Sequence, residues 1–285
     1  DDKYLGLFRI MPRVEQSNQD MHDIVYTLEH VLSTLLDSSI VGYNVWGGVG
    51  YENTRQVISK ILERQNETKW VLVECDYTNQ FAYEFEDQNL LSALLSVPKV
   101  LTDDYYWAFS TQNFPWGLNL KKVSSTPIAD IRYKKNITGI TKKTDPRSIC
   151  TRLYLYGKEK LNIKDLNNGL EYLDSSDGIE NYGIITSIIN DDRFENQQSL
   201  YDYGVSLLAK LDKPIVTYEL DIQTIYNAAD LKIGDVVIVV TDDGLDQNLV
   251  VQEISKDNLT GAPNSGKIII GNGTVDIGTI IKSFI

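Results

Sequence analysis

The chain has 285 residues, 42% hydrophobic and 24% charged, which excludes wholesale disorder and predicts at least two packed units, since single domains usually hold about 100–200 residues. Its 40 acidic residues outweigh 27 basic ones for a formal charge of −13, so gripping nucleic acid by phosphate neutralisation is excluded. No apolar run reaches the length of a membrane-spanning helix, and Asp1-Asp2-Lys3 is neither an initiator nor a signal peptide; the expectation is a soluble chain cut from something longer.

The first predicted element is a strand in which Ile24, Tyr26 and Leu28 alternate with more polar neighbours; it passes into His30 to Leu36 at helical spacing. After the glycine-rich break at Gly47 to Gly50, Asn53-Thr54 is placed to cap a helix with the apolar stripe Val57, Ile58, Ile61 and Leu62. Trp70 to Cys75 and Phe81 to Phe85 read as a pair of strands. Asp87 then caps a short helix carrying Leu90, Leu91, Leu94 and Leu95, which Pro98 stops. From Tyr105 the texture changes to short β-prone runs, including Trp116 to Val123, Ile128 to Tyr133 and Ile149 to Tyr156. Between Gly157 and Pro214 the chain is loop-rich and then helical, with Leu200, Tyr203, Leu207, Leu208 and Leu211 on one side, so this segment reads as an insertion. Strands resume at Ile215 to Ile222, Asp235 to Thr241, Leu249 to Ile254 and Lys267 to Ile270. Short strands at this spacing predict a barrel or sandwich.

The residues that could carry chemistry read mostly as structure. Gly261 to Lys267 matches the opening of a phosphate-binding loop, but Ile268 replaces the magnesium-holding Ser or Thr and a β-run follows where a helix is required, so a hairpin loop is expected. The acidic pairs Asp103-Asp104, Asp191-Asp192 and Asp242-Asp243 are adjacent in sequence, whereas a glycosidase needs carboxylates about 5–9 Å apart across a cleft; they read as turn residues and caps. Asp174 to Gly178 resembles part of a calcium loop with its glycine one position early. His22 and His30 lie near no nucleophile elbow, and Cys75 and Cys150 lack metal-ligand spacing and read as buried thiols. Trp46, Trp70, Trp107 and Trp116 could line a sugar groove, but scattered as they are they read as core or interface anchors. Sequons at Asn66, Asn136, Asn258 and Asn272 carry no weight without a secretion signal. Seventeen Tyr against seven Phe suits strand surfaces and subunit interfaces, where a ring is half-buried and its hydroxyl wet.

Thr151-Arg152-Leu153-Tyr154-Leu155-Tyr156-Gly157-Lys158 resembles the signature of the phage tail hub family, whose members are called tail-associated lysins or prophage tail endopeptidases. Family-like features follow in order: Asn181-Tyr182-Gly183, Asp191-Asp192-Arg193-Phe194, Lys213-Pro214 leading to Tyr218-Glu219, and Leu231 to Val237. Upstream, Leu7 to Ile10 looks like the closing strand of the family's first barrel and Tyr26 to His30 like its strand-to-helix junction.

The resemblance implies an α+β chain built on an antiparallel, tail-tube-like β-barrel with an inserted helical segment and an N-terminal mixed helix/strand domain. Its expected divisions are a first-barrel remnant at 1–17, a mixed domain at 18–115, a discontinuous second barrel at 116–156 and 214–285, and an insert at 157–213. The implied function is a structural hub of a phage or prophage tail tip or baseplate: a homotrimeric ring that continues the tail tube, carries a downstream effector or fibre domain, and contacts distal tail and tape-measure proteins. DNA would pass through an acidic or neutral bore without being bound, and this region would not insert into a membrane. The expected location is the virion tail tip, after synthesis in the bacterial cytoplasm. A peptidoglycan hydrolase or endopeptidase, or a host-glycan-binding module, is the competing reading. Under the hub reading no catalytic, cofactor or metal residue is assigned, and no cofactor is expected. Arg152, Tyr154, Tyr156, Gly157, Asp192, Arg193, Pro214, Gly234 and Asp235 become structural or interface residues, with Arg152 best suited to a bidentate contact and Tyr154 and Tyr156 on one side of a strand.

Overall fold

A computed structural model describes residues 4, 6–17, 22–132, 139–221, 231–241, 244–255 and 266–272. Among the described residues, strands β1 (Phe8–Ser17) and β2 (His22–His30) pair only with each other, as an antiparallel ribbon. The expected boundary at residue 17 therefore cuts a hairpin. The helical spacing after His30 is realised as a 3-10 helix over Val31–Asp37, and β3 (Ser39–Gly47), absent from the sequence reading, follows it.

Helix α1 (Thr54–Leu62) starts where expected. The Asn53 side chain accepts from the Gln56 amide at 3.0 Å, and the Gln56 side chain accepts from the Asn53 amide at 2.9 Å, closing a reciprocal capping box. Its Val57, Ile58, Ile61 and Leu62 are all buried. Asn53→Ala leaves the Gln56 amide without its cap and is expected to cost about 1 kcal/mol of stability by urea denaturation, against near-neutrality if the cap were incidental.

Strands β4 (Trp70–Cys75) and β5 (Ala82–Asn89) form as expected but do not pair with each other. β5 pairs antiparallel with β3. Helix α2 (Leu90–Ser96) is capped by Asn89, whose side chain accepts from the Ser92 amide, and not by Asp87. Asp87 sits at φ +43° and accepts from the Gly42 amide instead, at the irregularity where β3 shifts register against β5. β4 joins β6 (Tyr105–Ser110) and β7 (Trp116–Lys122) in the order β4-β7-β6, parallel on the β4 side. A parallel partner must come from far along the chain, which is why adjacency misassigned this pair.

Among the described residues the expected barrel does not close, and its strands differ in part from those expected. β8 (Ala129–Arg132), β9 (Ile140–Asp145), β13 (Ile215–Asp221), β14 (Val236–Thr241), β15 (Gly244–Ser255) and β16 (Lys267–Gly271) form one mixed sheet in the order β8-β14-β15-β16-β13-β9. It curls around its own apolar face: Ile131, Tyr218, Leu220, Val237, Val239, Leu249, Val251, Ile268 and Ile270 make one buried cluster. β8 and β9 are its two ends, with β8 parallel to β14 and no pairing between the ends among the described residues. β7 lies outside it because Leu118 and Leu120 are buried in the larger α/β core.

The insert is also richer than a loop and helix. β10 (Arg152–Tyr156) is the central strand of a second small sheet, β11-β10-β12, with β11 (Tyr172–Asp174) antiparallel and β12 (Thr186–Asn190) parallel to it. Helix α3 (Ser176–Tyr182) connects β11 to β12, and α4 (Gln197–Leu211) covers the sheet. β10 belongs here because Leu153 and Leu155 alternate inward, fully buried beneath α4. Gly204 lets the helix come down: a Cβ there would overlap Leu155. Both small sheets, α1, α2 and α4 share one core, and Val236 and Val250 with Tyr106, Val123 and Ile233 link it to the curled sheet.

Candidate assembly junction

The hub-like signature builds the point where the insert meets the rest of the chain. Thr151 is fully buried; its Oγ1 donates to the Gly183 carbonyl and accepts from the Ile185 amide, each at 2.7 Å, fixing the turn that leads into β12. Arg152 makes a bidentate contact, but within the chain. Nε and Nη2 each donate to Asp174 at 2.7 Å, and the guanidinium lies 4.1 Å from the centre of the Tyr172 ring. The hydrogen bonds to Asp174 push its pKa above even the usual arginine range. Tyr154, half-buried on the same side of β10 as Tyr156, packs at 5.3 Å between centroids on Tyr172. The pairing was hidden in the sequence because Asp174 and Tyr172 lie on β11, across the sheet.

Gly157 donates its amide to Leu161 at 2.7 Å, and a Cβ there would collide with the Phe194 backbone carbonyl oxygen, which accepts from the Lys158 amide. Backbone cannot give way as a side-chain end can. Gly157→Ala is expected to cost about 1–3 kcal/mol by urea denaturation, even though its φ of −95° suits any residue; a variant as stable as wild type would show that the elbow relaxes freely.

The elbow after β12 carries the fastening. Arg193 Nε and Nη2 donate to Asp191 at 2.7 and 2.5 Å, while Nη1 donates to the Ser96 carbonyl at 2.9 Å, tying the insert to the end of α2. Asp192 is exposed in the turn beside it. Phe194 is fully buried, edge-on to Phe81 at 5.5 Å and tilted against Tyr203 of α4 at 4.8 Å.

A second junction holds the curled sheet. Gly234, at φ +91°, faces the Tyr106 ring so closely that a Cβ would overlap it, and its amide donates to the Val251 carbonyl. Asp235 closes this turn by accepting the Lys232 amide at 2.7 Å, as the expected tight turn into β14 requires. Lys210 of α4 pairs with Asp104 at 2.8 Å. The Pro214 carbonyl accepts from the Asn272 side chain at 3.3 Å, and Asn272 Oδ1 accepts from the Val216 amide, joining the start of β13 to the end of β16. Of the nine singled-out residues, Asp192 is exposed.

The residues weighed for chemistry lie apart. Trp46, Trp70 and Trp107 are buried, Trp116 is half-buried with its ring against Trp70, and Lys60 and Arg64 cover the Trp46 ring, so the four do not line a common groove. Cys150 is buried and Cys75 half-buried. Asp174 is engaged by Arg152, and Ser175 caps α3, so the calcium-loop-like stretch is a strand end and a helix start. Among the described residues no group of three or more His, Cys, Asp or Glu side chains is placed to hold a metal ion. Lys267 opens β16 rather than a helix, while residues 261–265 of the glycine-rich loop, Asp242-Asp243 and the sequons at Asn136 and Asn258 lie outside the described residues.

The chain was compared with known proteins. No curated protein matches it. Prophage tail protein gp18 from Listeria monocytogenes EGD-e is similar at a TM-score of 0.64 and 18% identity, covering 99% of this chain and 81% of that one. A tail protein from Neisseria meningitidis MC58 gives 0.64 at 11% identity, over 97% and 82% of the two chains. The 43 kDa tail protein of prophage MuSo2 from Shewanella oneidensis gives 0.61 at 14% identity, over 94% and 80%. At such identities these likenesses establish the fold. The family model described as prophage endopeptidase tail matches residues 125–281, more than half of the sequence, taking in the curled sheet and the insert. The chain belongs to this family of phage tail proteins.

Proposed function

We propose that this chain is a structural hub subunit of a phage or prophage tail tip or baseplate, assembling as a homotrimer into a ring that continues the tail tube and carries a downstream effector or fibre domain. The observation that carries the reading is the curled sheet, which has a core of its own and whose end strands do not pair with each other among the described residues, fastened to the α/β scaffold through Gly234 and Tyr106. A sheet that curls without closing suits one segment of a larger wall made by several copies. In this reading the sheet answers to the second tube-like barrel unit, and the Arg193 and Phe194 elbow holds the insert on the α/β scaffold. Distal tail and tape-measure proteins are the neighbours this position in the virion implies.

Negative-stain images of the purified chain are expected to give ring-shaped class averages with threefold symmetry and a central opening; isolated compact particles at every concentration would overturn the reading. The family name includes an endopeptidase, and in this reading that activity belongs elsewhere in such proteins. A peptidoglycan overlay with the purified chain is expected to stay intact, and clearing that disappears in Asp192→Asn would favour the hydrolase. The net charge of −13 fits a bore that lets DNA pass. Filter binding of duplex DNA at low salt is expected to show no retention, and micromolar binding that weakens steeply with salt would mean a gripping surface.

A further inference from the structure

Two strands on the α/β scaffold have open edges of an unusual kind. β3 pairs with β5 on one side and with no other strand among the described residues, and its outward side chains Val41, Tyr43 and Val45 are apolar and exposed, Tyr43 by 61%. β12 pairs with β10 alone and exposes Ile188 by 63%, with Ile184 also in solvent just before it. Both lie in stretches without a charged residue, Ser38 to Tyr51 and Asn181 to Asn190, in a chain whose charge is −13. Protein edges are normally blunted by charge, and the other open edges here follow that rule or hide their side chains. β9 carries Lys142 and Lys143, β8 carries Asp130 and Arg132, and β4 carries Glu74. β6 is uncharged but buried or half-buried except at Ser110.

We propose that β3 of one copy pairs edge to edge with β12 of a second copy, extending the β5-β3 ribbon and the β12-β10-β11 sheet into one five-stranded sheet across the subunit boundary. A second copy is the occupant the charges favour. Strongly acidic copies repel over most of their surface, so they meet best at strands that carry no charge, with Glu84 and Glu86 beside β3 in one copy opposite in sign to Arg152 beside β12 in the other. The lengths agree as well: beyond the register shift at Gly42, β3 pairs regularly with β5 over Tyr43 to Gly47, against Thr186 to Asn190 of β12, although the Gly47 amide already donates to Glu52 at 3.0 Å and leaves Tyr43 to Trp46 for the contact. The edges would contribute backbone hydrogen bonds and the exposed aliphatics would cover one another. Because the contact joins two different patches, each copy offers one and accepts one, and such a contact closes into a ring when the rotation between copies allows. The inference rests on the ring reading above and adds to it the surface through which copies touch.

Light scattering of Tyr43→Glu and Ile188→Glu tests it, with Val73→Glu as a control at an exposed site on the β4 edge. Both test variants are expected to run as monomers at concentrations where wild type and the control are trimers, an association at least tenfold weaker, with unchanged circular dichroism. In a second arm, Tyr43→Cys and Ile188→Cys proteins are oxidised separately and mixed. A cross-linked dimer on mixing, absent from either variant alone, supports the contact. Trimers that persist in both Glu variants, no cross-link on mixing, or cross-linking of one variant with itself would overturn it while leaving the hub reading intact. A monomeric wild type would overturn both.

Discussion

Phe194→Ala is expected to lower the unfolding free energy by about 3–5 kcal/mol, the range for deleting a fully buried phenylalanine ring. The ring lies against Phe81 on one side and Tyr203 of α4 on the other, so its removal opens a cavity between the insert and the scaffold. Arg193 would still donate to Asp191 and the Ser96 carbonyl, but a surface-side clamp does not replace packing. Chemical denaturation monitored by tryptophan fluorescence measures the loss. Asp192→Asn, two residues earlier and exposed, serves as the internal comparison and should stay within about 0.5 kcal/mol of wild type. A Phe194→Ala loss under about 1 kcal/mol would mean that the elbow is not the fastening described.

The second large effect is a loss of stability on mild acidification, traced to His30. The imidazole is buried between Phe8 at 5.6 Å and Phe109 at 4.5 Å, and Nδ1 accepts from the Leu32 amide at 3.2 Å to start the 3-10 helix. Burial pushes its pKa down to about 4 from 6.5. Between those values the unfolded chain takes up a proton that the native chain refuses, so stability falls as pH drops from 6.5 toward 4 and is flat above. The full shift is worth about 3 kcal/mol. Glu52, held to about 2 first by its hydrogen bond to Lys60 and then by the Gly47 amide, loses its contribution only below about 4.5, which leaves the upper part of the window to His30. His30→Asn keeps a short acceptor for the Leu32 amide and cannot titrate. Urea midpoints at pH 7.5 and 4.8 should converge less for wild type than for the variant, which starts lower from lost ring packing but declines less; equal declines would contradict the assignment.

What could be read from sequence was what is decided locally. The Asn53 cap, the α1 stripe and the strand β16 after the glycine-rich loop each depend on residues within a turn of one another. Asp87 and Asn89 were equally suitable caps by type, and only the positive φ at Asp87, imposed by the β3 register shift, decides between them. Sheet membership was beyond local reading. β10 has the same alternating look as β13, yet Leu153 and Leu155 pack under α4 while Tyr218 and Leu220 pack inside the curled sheet. The signature residues could be singled out by type, but their partners, Asp174 for Arg152, Ser96 for Arg193 and Tyr106 for Gly234, come from other elements and left no periodic trace. β3 escaped notice because Gly42 breaks its alternation.

Self-association into a ring sets the mass of the protein in solution. Multi-angle light scattering of the 32.3 kDa chain at tens of micromolar and physiological salt is predicted to give about three times that mass, falling only on dilution. A mass of one chain that holds across a hundredfold range of concentration would contradict it.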